Sequence, residues 1–376
     1  MANKKDKSSE KTISEILEAS KYKAKLEQTK LFKNIIKYNE LRGNISLIKD
    51  NKLKFLETKD FIKTNKVYKE NLNKKISNIY REKIMIFFSI LEKKLPYCDF
   101  SNLNENIRNL KVKKRGNFDL YVILFDIVDL PAPSSYYNIR KNQIVLDEAF
   151  EKDIMHELLH MASFKKTDSY DYHGLSIYDK KDHILIGNAL TEGYTELLTK
   201  RYFNGENGSY YRETELASLL EIIVGKQTME RAYFNADLMK LLNELSKYNE
   251  IDNTIDFITN IDILMYFEDC YGYGLDGGYK SMNDDQQNKL QVLLSSISNY
   301  LINSYTNKLK IDIDSDIITV LEAKEFLYEF IRKIGCLTFV QLKSNNYIDS
   351  NLINKNVLSL ENCRSNIITE TSTKKM

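Results

Sequence analysis

Apolar side chains recur every three or four residues through most of the chain, and this one periodicity restricts the fold more than any other feature. From residue 11 to 94 they fall on helix faces otherwise filled by Lys, Asn and Glu, as with Leu72, Ile76, Ile79, Tyr80 and Met85. Several amphipathic helices are predicted there, broken near Gly43 and ended by Pro96. Helical spacing resumes at 149–164 and again at 189–203, 212–225, 228–248, 283–307 and 318–334. Only residues 118–147 break the pattern. Residues 118–130 are rich in β-branched and aromatic types, Pro131 and Pro133 impose a turn, and Asn142 to Leu146 is extended again. The expectation is a mostly helical α+β protein whose one small sheet, from about 116 to 147, packs on the helix that follows it.

A chain of 376 residues can bury a large core and has room for two or three domains. With 43% hydrophobic and 29% charged residues it is too apolar and too charge-balanced for a disordered chain. The longest strongly apolar patch, Ile84 to Leu91, is far short of the roughly 20 residues a spanning helix needs, so no membrane segment is expected. Residues 1–10 are polar and lysine-rich and lack the apolar stretch of a secretory signal. A cytoplasmic location follows as the default, with signal-independent export left open. Cys98, Cys270, Cys336 and Cys363 are scattered without a C-x-x-C pair, the pattern of free buried thiols. No 20- to 50-residue period repeats, glycine-rich loops fall at 205–208 and 272–278, and the last dozen residues read as a polar tail.

Charge is unevenly spread. Residues 1–100 carry 24 Lys/Arg against 13 Asp/Glu, whereas the chain as a whole has a net charge of only +2. The basic residues are scattered along helix faces without interleaved aromatics, so no nucleic-acid partner is expected; a partner protein at the basic N-terminal helices is the alternative use of that surface.

All four histidines, His156, His160, His173 and His183, fall within 28 residues. The first two belong to His156-Glu157-Leu158-Leu159-His160, an H-E-x-x-H pattern that a random chain of this composition would contain roughly 0.003 times. On a helix, positions i and i+4 lie one above the other, so both imidazoles can reach one tetrahedral Zn²⁺. Glu157 is rotated by about 100° from His156, which places its carboxylate beside the metal, where it can act as a general base toward water.

A third ligand must come from elsewhere in the chain. The metzincin pattern fails, because Ser163 and Lys166 stand where its glycine and third histidine belong. Further on, Leu190-Thr191-Glu192-Gly193-Tyr194-Thr195-Glu196 places two carboxylates at i and i+4 on one helix face. Together the two motifs resemble the gluzincins, the thermolysin-like and aminopeptidase-like zinc metallopeptidases. The resemblance covers residues 150–202, with Thr191 in place of the usual asparagine, Glu196 in place of the commoner aspartate, and 31 residues between His160 and Glu192. It implies a zincin-like catalytic domain in which His156, His160 and Glu192 hold Zn²⁺, Glu157 is the base, and Glu196 accepts an N–H from a ligating histidine. Gly193 would then let the two helices approach closely.

Gluzincins also place a Tyr or His where it can donate to the oxyanion of the tetrahedral intermediate. His183 is the first candidate, followed by Tyr178 and Tyr211. His173 reads as a solvated loop residue, a ligand only if Glu192 is not. The extended segment Asn142 to Leu146 is the strand along which a peptide substrate would pair by β-augmentation.

The domain expectation is a basic helical region at 1–95, a zincin-like domain with a helical subdomain at 96–310, and a helical extension at 311–376. The function expectation is a zinc-dependent metallopeptidase acting on a peptide or protein. Its alternatives are a zincin-fold regulatory or binding protein that holds zinc, and a metallohydrolase of a non-peptide substrate. Asp312, Asp314 and Asp316 mimic the opening of a calcium loop, but Ile317 replaces its glycine and Ala323 its bidentate glutamate. No Walker A and no G-x-S-x-G pattern is present.

Overall fold

Pro96 ends a helix where the sequence predicts. The computed structural model describes residues 64–115, 135–147, 153–181, 184–205, 210–271, 281–339 and 342–363. In it α1 (Asn78–Lys94) stops two residues before that proline. Its buried stripe is Tyr80, Ile84, Phe87, Phe88 and Leu91, a spacing of three and four. Leu72, Ile76 and Tyr80 are buried as expected, but Leu72 and Ile76 precede the helix and Ile79 points outward, 58% exposed. The helices expected before residue 64 lie outside the described residues, as do the extended segment 118–130 and both glycine-rich loops apart from Gly205.

After α2 (Ser101–Asn106) come β1 (Lys111–Lys114), β2 (Tyr136–Asn138) and β3 (Gln143–Leu146). They form a three-stranded sheet in the order β1-β3-β2, with β3 parallel to β1 and antiparallel to β2. Val112 and Tyr137 both stand opposite Ile144, which is fully buried. This corrects the expectation for a substrate strand: β3 is the central strand, and its backbone groups are already paired on both sides.

Helix α3 (Ile154–Ala162) carries the H-E-x-x-H pattern and ends two residues before the expected position, while expected residues 149–152 lie outside the described ones. Phe164 is already in a strand, the first of a second sheet where the sequence reading had placed a loop. β4 (Phe164–Lys166), β5 (Tyr170–His173), β6 (Ser176–Asp179) and β7 (Ile184–Ile186) follow as an antiparallel meander. The β5–β6 hairpin turns in two residues, with Gly174 at φ +56°.

The remainder is helical. α4 (Asn188–Phe203) and α5 (Tyr211–Val224) match their expected spans within a residue. The helix expected at 228–248 divides into α6 (Lys226–Phe234) and α7 (Leu238–Leu245), because Ala236 takes φ +53° and Asp237 caps the second piece by accepting from the Lys240 N–H. α8 (Ile251–Tyr271) has no counterpart among the expected helices, and the short α11 (Ser350–Glu361) falls within the expected helical extension. α9 (Asp284–Asp314) and α10 (Val320–Ile334) each begin on a capping box, Asn283 with Gln286 and Thr319 with Glu322.

Residue 310 lies inside α9, and Leu95 is fully buried in the same core cluster as Leu158 and Leu159 of α3. Phe87 of α1 stacks on Phe203 of α4, with ring centroids 5.2 Å apart. Apart from Arg115, the described residues belong to one compact unit. Cys98 is buried as expected for a free thiol, but Cys336 is exposed. Among the described residues no helix is long and apolar enough to cross a membrane.

Candidate metal and catalytic site

Two helices and one hairpin build the site. α3 is buried on nearly every side, which holds its backbone in place. α4 is fixed along its length by polar contacts. At its start, Asp262 of α8 accepts from the backbone N–H groups of Gly187 (2.7 Å) and Ala189 (2.8 Å). One turn in, the Thr191 hydroxyl donates to the His173 carbonyl and accepts from the Leu175 N–H, both at 3.0 Å, which ties the β5–β6 turn to the helix. Thr195 meets the buried Tyr233 hydroxyl at 2.7 Å, and Arg201 makes a two-pronged ion pair with Glu221 at 2.7 and 2.9 Å. Gly193 is where α4 meets α5: a Cβ there would lie 2.2 Å from the carbonyl of Glu213. The close approach the sequence suggested is therefore to α5.

These constraints bring the histidines of α3 to the carboxylates of α4. The His156 and His160 Nε2 atoms are 3.0 Å apart, and Glu192 Oε2 lies 3.2 Å from His160 Nε2 and 3.6 Å from His156 Nε2. A tetrahedral Zn²⁺ with bonds of about 2.0–2.1 Å would hold its donors about 3.3 Å apart, and the three separations bracket that value. Two Nε2 atoms this close can share either a proton or a cation. Among the described residues this trio is the one cluster of His, Cys, Asp and Glu whose donor atoms all lie within 4.8 Å of one another. The donor set of two imidazoles and one carboxylate suits a divalent cation and leaves a fourth position for water or substrate.

Each imidazole has a partner on its other side. His156 Nδ1 lies 3.2 Å from Glu196 Oε2. His160 Nδ1 lies 2.8 Å from Nε2 of His173. His173 is thus half-buried on β5 against the site, which corrects its reading as a solvated loop residue.

Electrostatics follow from this packing. Burial disfavours a charged His156 ring, but hydrogen bonds to Glu192 and Glu196 outweigh it and push the ring up to about 10. Burial would raise Glu192 as well, yet His160 and His156 hold it well below the usual carboxylate range. Glu157 is 5% exposed, and burial raises its proton affinity against the pull of both histidines. His173 is driven down to about 3 by burial and by His160, so its ring stays neutral. Three carboxylates thus crowd two imidazoles, an arrangement that favours a cation.

The remaining site candidates fall differently. His183 lies outside the described residues. Tyr178 is half-buried in the middle of β6, in register with Asp171 and Leu185. Tyr211 opens α5 and is 48% exposed. Its neighbour Tyr210 lies beside the site, its ring nearly parallel to that of His156 with centroids 6.3 Å apart. Nothing in the sequence separates Tyr210 from Tyr211, whereas the histidine cluster was a signal for His173.

Compared with protein-family models, curated proteins and solved structures, the chain has no significant match.

Proposed function

We propose that the protein is a zinc-dependent metallopeptidase of the gluzincin type, with a zincin-like domain built around α3 and α4. One observation carries the proposal: His156 Nε2 and His160 Nε2 of α3, the helix that also carries the buried Glu157, converge with Glu192 Oε2 of α4 at the spacing of a tetrahedral ion. When bound, Zn²⁺ would supply Lewis acidity toward the scissile carbonyl and toward water. The protein's own groups do the rest. His156, His160 and Glu192 hold the cation, and Glu196 accepts the Nδ1–H of His156, which keeps the Nε2 lone pair free for it. Glu157 takes a proton from the attacking water and passes it to the leaving amine. Its burial suits it to hold that proton in between, since a desolvated carboxylate releases a proton less readily than an exposed one. Tyr210, beside His156, takes the place proposed from sequence for Tyr211 as donor to the developing oxyanion.

The test is metal analysis combined with a fluorescence-quenched peptide library, run on the wild type and on Glu157→Gln. The expected outcome is one Zn²⁺ per chain in both proteins and cleavage by the wild type. The variant should lose a factor of roughly 10² to 10⁴ in rate. Failure to take up zinc, or equal cleavage by both proteins, overturns the proposal. Zinc uptake without cleavage in either protein would favour the zinc-holding binding protein.

A further inference from the structure

We infer that His173 is a positioning residue for the metal site: it accepts the Nδ1 proton of His160 and thereby fixes which nitrogen of that ring faces the cation. The inference rests on the zinc-site reading above and extends it to a residue outside both sequence motifs. A neutral imidazole can offer Nε2 to a metal only if its proton sits on Nδ1, and a buried N–H needs an acceptor. His160 is 4% exposed and its Nδ1 lies 2.8 Å from His173 Nε2, so that acceptor is the second ring. His173 must then carry its own proton on Nδ1.

The hairpin holds His173 firmly in that place. Its carbonyl accepts from the Thr191 hydroxyl at 3.0 Å. The next residue, Gly174, donates its N–H to the Ser163 carbonyl at 3.0 Å, just past the end of α3. A side chain at Gly174 would strike the Tyr233 ring at 2.8 Å. The turn after His173 is therefore fastened to the C-terminal end of α3 and to the first turn of α4, the two helices that supply the ligands. Thr191, which stands where the family pattern has asparagine, makes one of these fastenings.

His173 is not a competing ligand. Its Nε2 faces the Nδ1 edge of His160, and the Nε2 edge of that ring is the one turned to His156 and Glu192. The two metal-facing imidazoles thus have different partners, a carboxylate for His156 and a neutral ring for His160. A neutral acceptor orients a ring without adding a fourth negative charge to a site that already gathers Glu157, Glu192 and Glu196.

The test uses zinc affinity, measured by competition with a chromophoric chelator, in the full-length wild type and in His173→Phe, His173→Gln, His156→Ala and Glu192→Ala. His173→Phe fills similar space without an acceptor and should weaken zinc binding by roughly 10- to 100-fold. His173→Gln restores an acceptor oxygen and should recover most of that loss. In parallel, ¹⁵N spectra of the zinc-loaded wild type labelled at histidine should show His160 protonated at Nδ1 and His173 with a bare Nε2, a pattern that packing alone would not produce. Zinc affinity of His173→Phe within twofold of wild type, while His156→Ala and Glu192→Ala lose the metal, overturns the inference and leaves the zinc site standing. So does a His173 ring protonated at Nε2. A wild type that takes up no zinc overturns both.

Discussion

Replacing Gly193 by alanine should destabilise the protein and loosen the metal site together. A Cβ built at this position lies 2.2 Å from both the carbonyl carbon and the carbonyl oxygen of Glu213, where ordinary van der Waals contact begins near 3.4 Å. The shortfall is 1.2 Å, and it falls on the backbone of α5, which has no rotamer with which to escape. Either α5 retreats or α4 rotates. Alanine improves helix propensity by about 1 kcal/mol, but overpacking typically costs about 1–3 kcal/mol and a backbone clash belongs at the top of that range or above it. The net loss should be about 2–3 kcal/mol, which at about 2–4 °C per kcal/mol lowers the unfolding midpoint by roughly 5–10 °C. Glu192 is the preceding residue, so the same displacement should weaken zinc binding. Circular dichroism on heating and the chelator competition read the two effects. Gly335→Ala is the control: Gly335 has an ordinary helical φ of −60°, and its nearest neighbour, the Arg332 carbonyl at 3.3 Å, needs to yield by only a few tenths of an ångström. If Gly193→Ala melts within a degree of wild type and binds zinc equally well, α4 and α5 have slack that the close approach denies, and the reasoning fails.

Zinc content should fall from one equivalent to below a tenth when His156, His160 or Glu192 is replaced by alanine; elemental analysis after dialysis checks this, and a Glu192→Ala protein that keeps its zinc would exclude Glu192 as a ligand. Glu196→Gln should weaken zinc affinity by roughly 10- to 100-fold while leaving the ligand set at two nitrogens and one carboxylate, as read by titration against a chelator and by X-ray absorption; an unchanged affinity would mean that its 3.2 Å contact with His156 Nδ1 does nothing for the ligand. Burial pushes Asp262 up to about 7 against the pull of the Gly187 and Ala189 N–H groups, whereas an unfolded chain has it near about 3.9. The folded chain therefore holds this proton more tightly, so the contribution of Asp262 to stability is fully present below about pH 4 and is lost as pH rises through 7. Urea midpoints from pH 4 to 8 should fall less steeply for Asp262→Asn than for wild type, and equal slopes would refute the assignment.

How legible the fold was depended on how far each signal is local. The helices α4, α5, α9 and α10 were readable because periodicity and capping residues such as Asn283 and Thr319 act within one or two turns. The second sheet was not, because β4 to β7 are three or four residues each, too short for alternation to declare itself. Their stability comes from pairing with one another and from the fastenings at Gly174 and Thr191, which are tertiary. The break between α6 and α7 has the same origin. Ala236 gives no warning of a left-handed backbone, and only the Asp237 cap after it hints that a new helix begins.

At the site, the sequence separated what spacing dictates from what distance in the chain conceals. His156, Glu157 and His160 share a helix, and so do Glu192 and Glu196, so their mutual geometry follows from 3.6 residues per turn. That the two helices face each other at this point rests on contacts between segments far apart in sequence: Asp262 at the start of α4, Glu213 against Gly193, and Thr191 reaching the β5–β6 turn. His173 shows the limit most clearly. Its presence among four histidines in 28 residues was visible, but its role depends on the register of β5 against β4, which sets His173 opposite Phe164, two residues past the end of α3. A shift of one residue in that register would turn the imidazole to the other face of the sheet and leave the His160 N–H buried without an acceptor, at a cost of about 1–3 kcal/mol. If His160 carries its proton on Nδ1, as inferred above, the hairpin register is what supplies the acceptor for it.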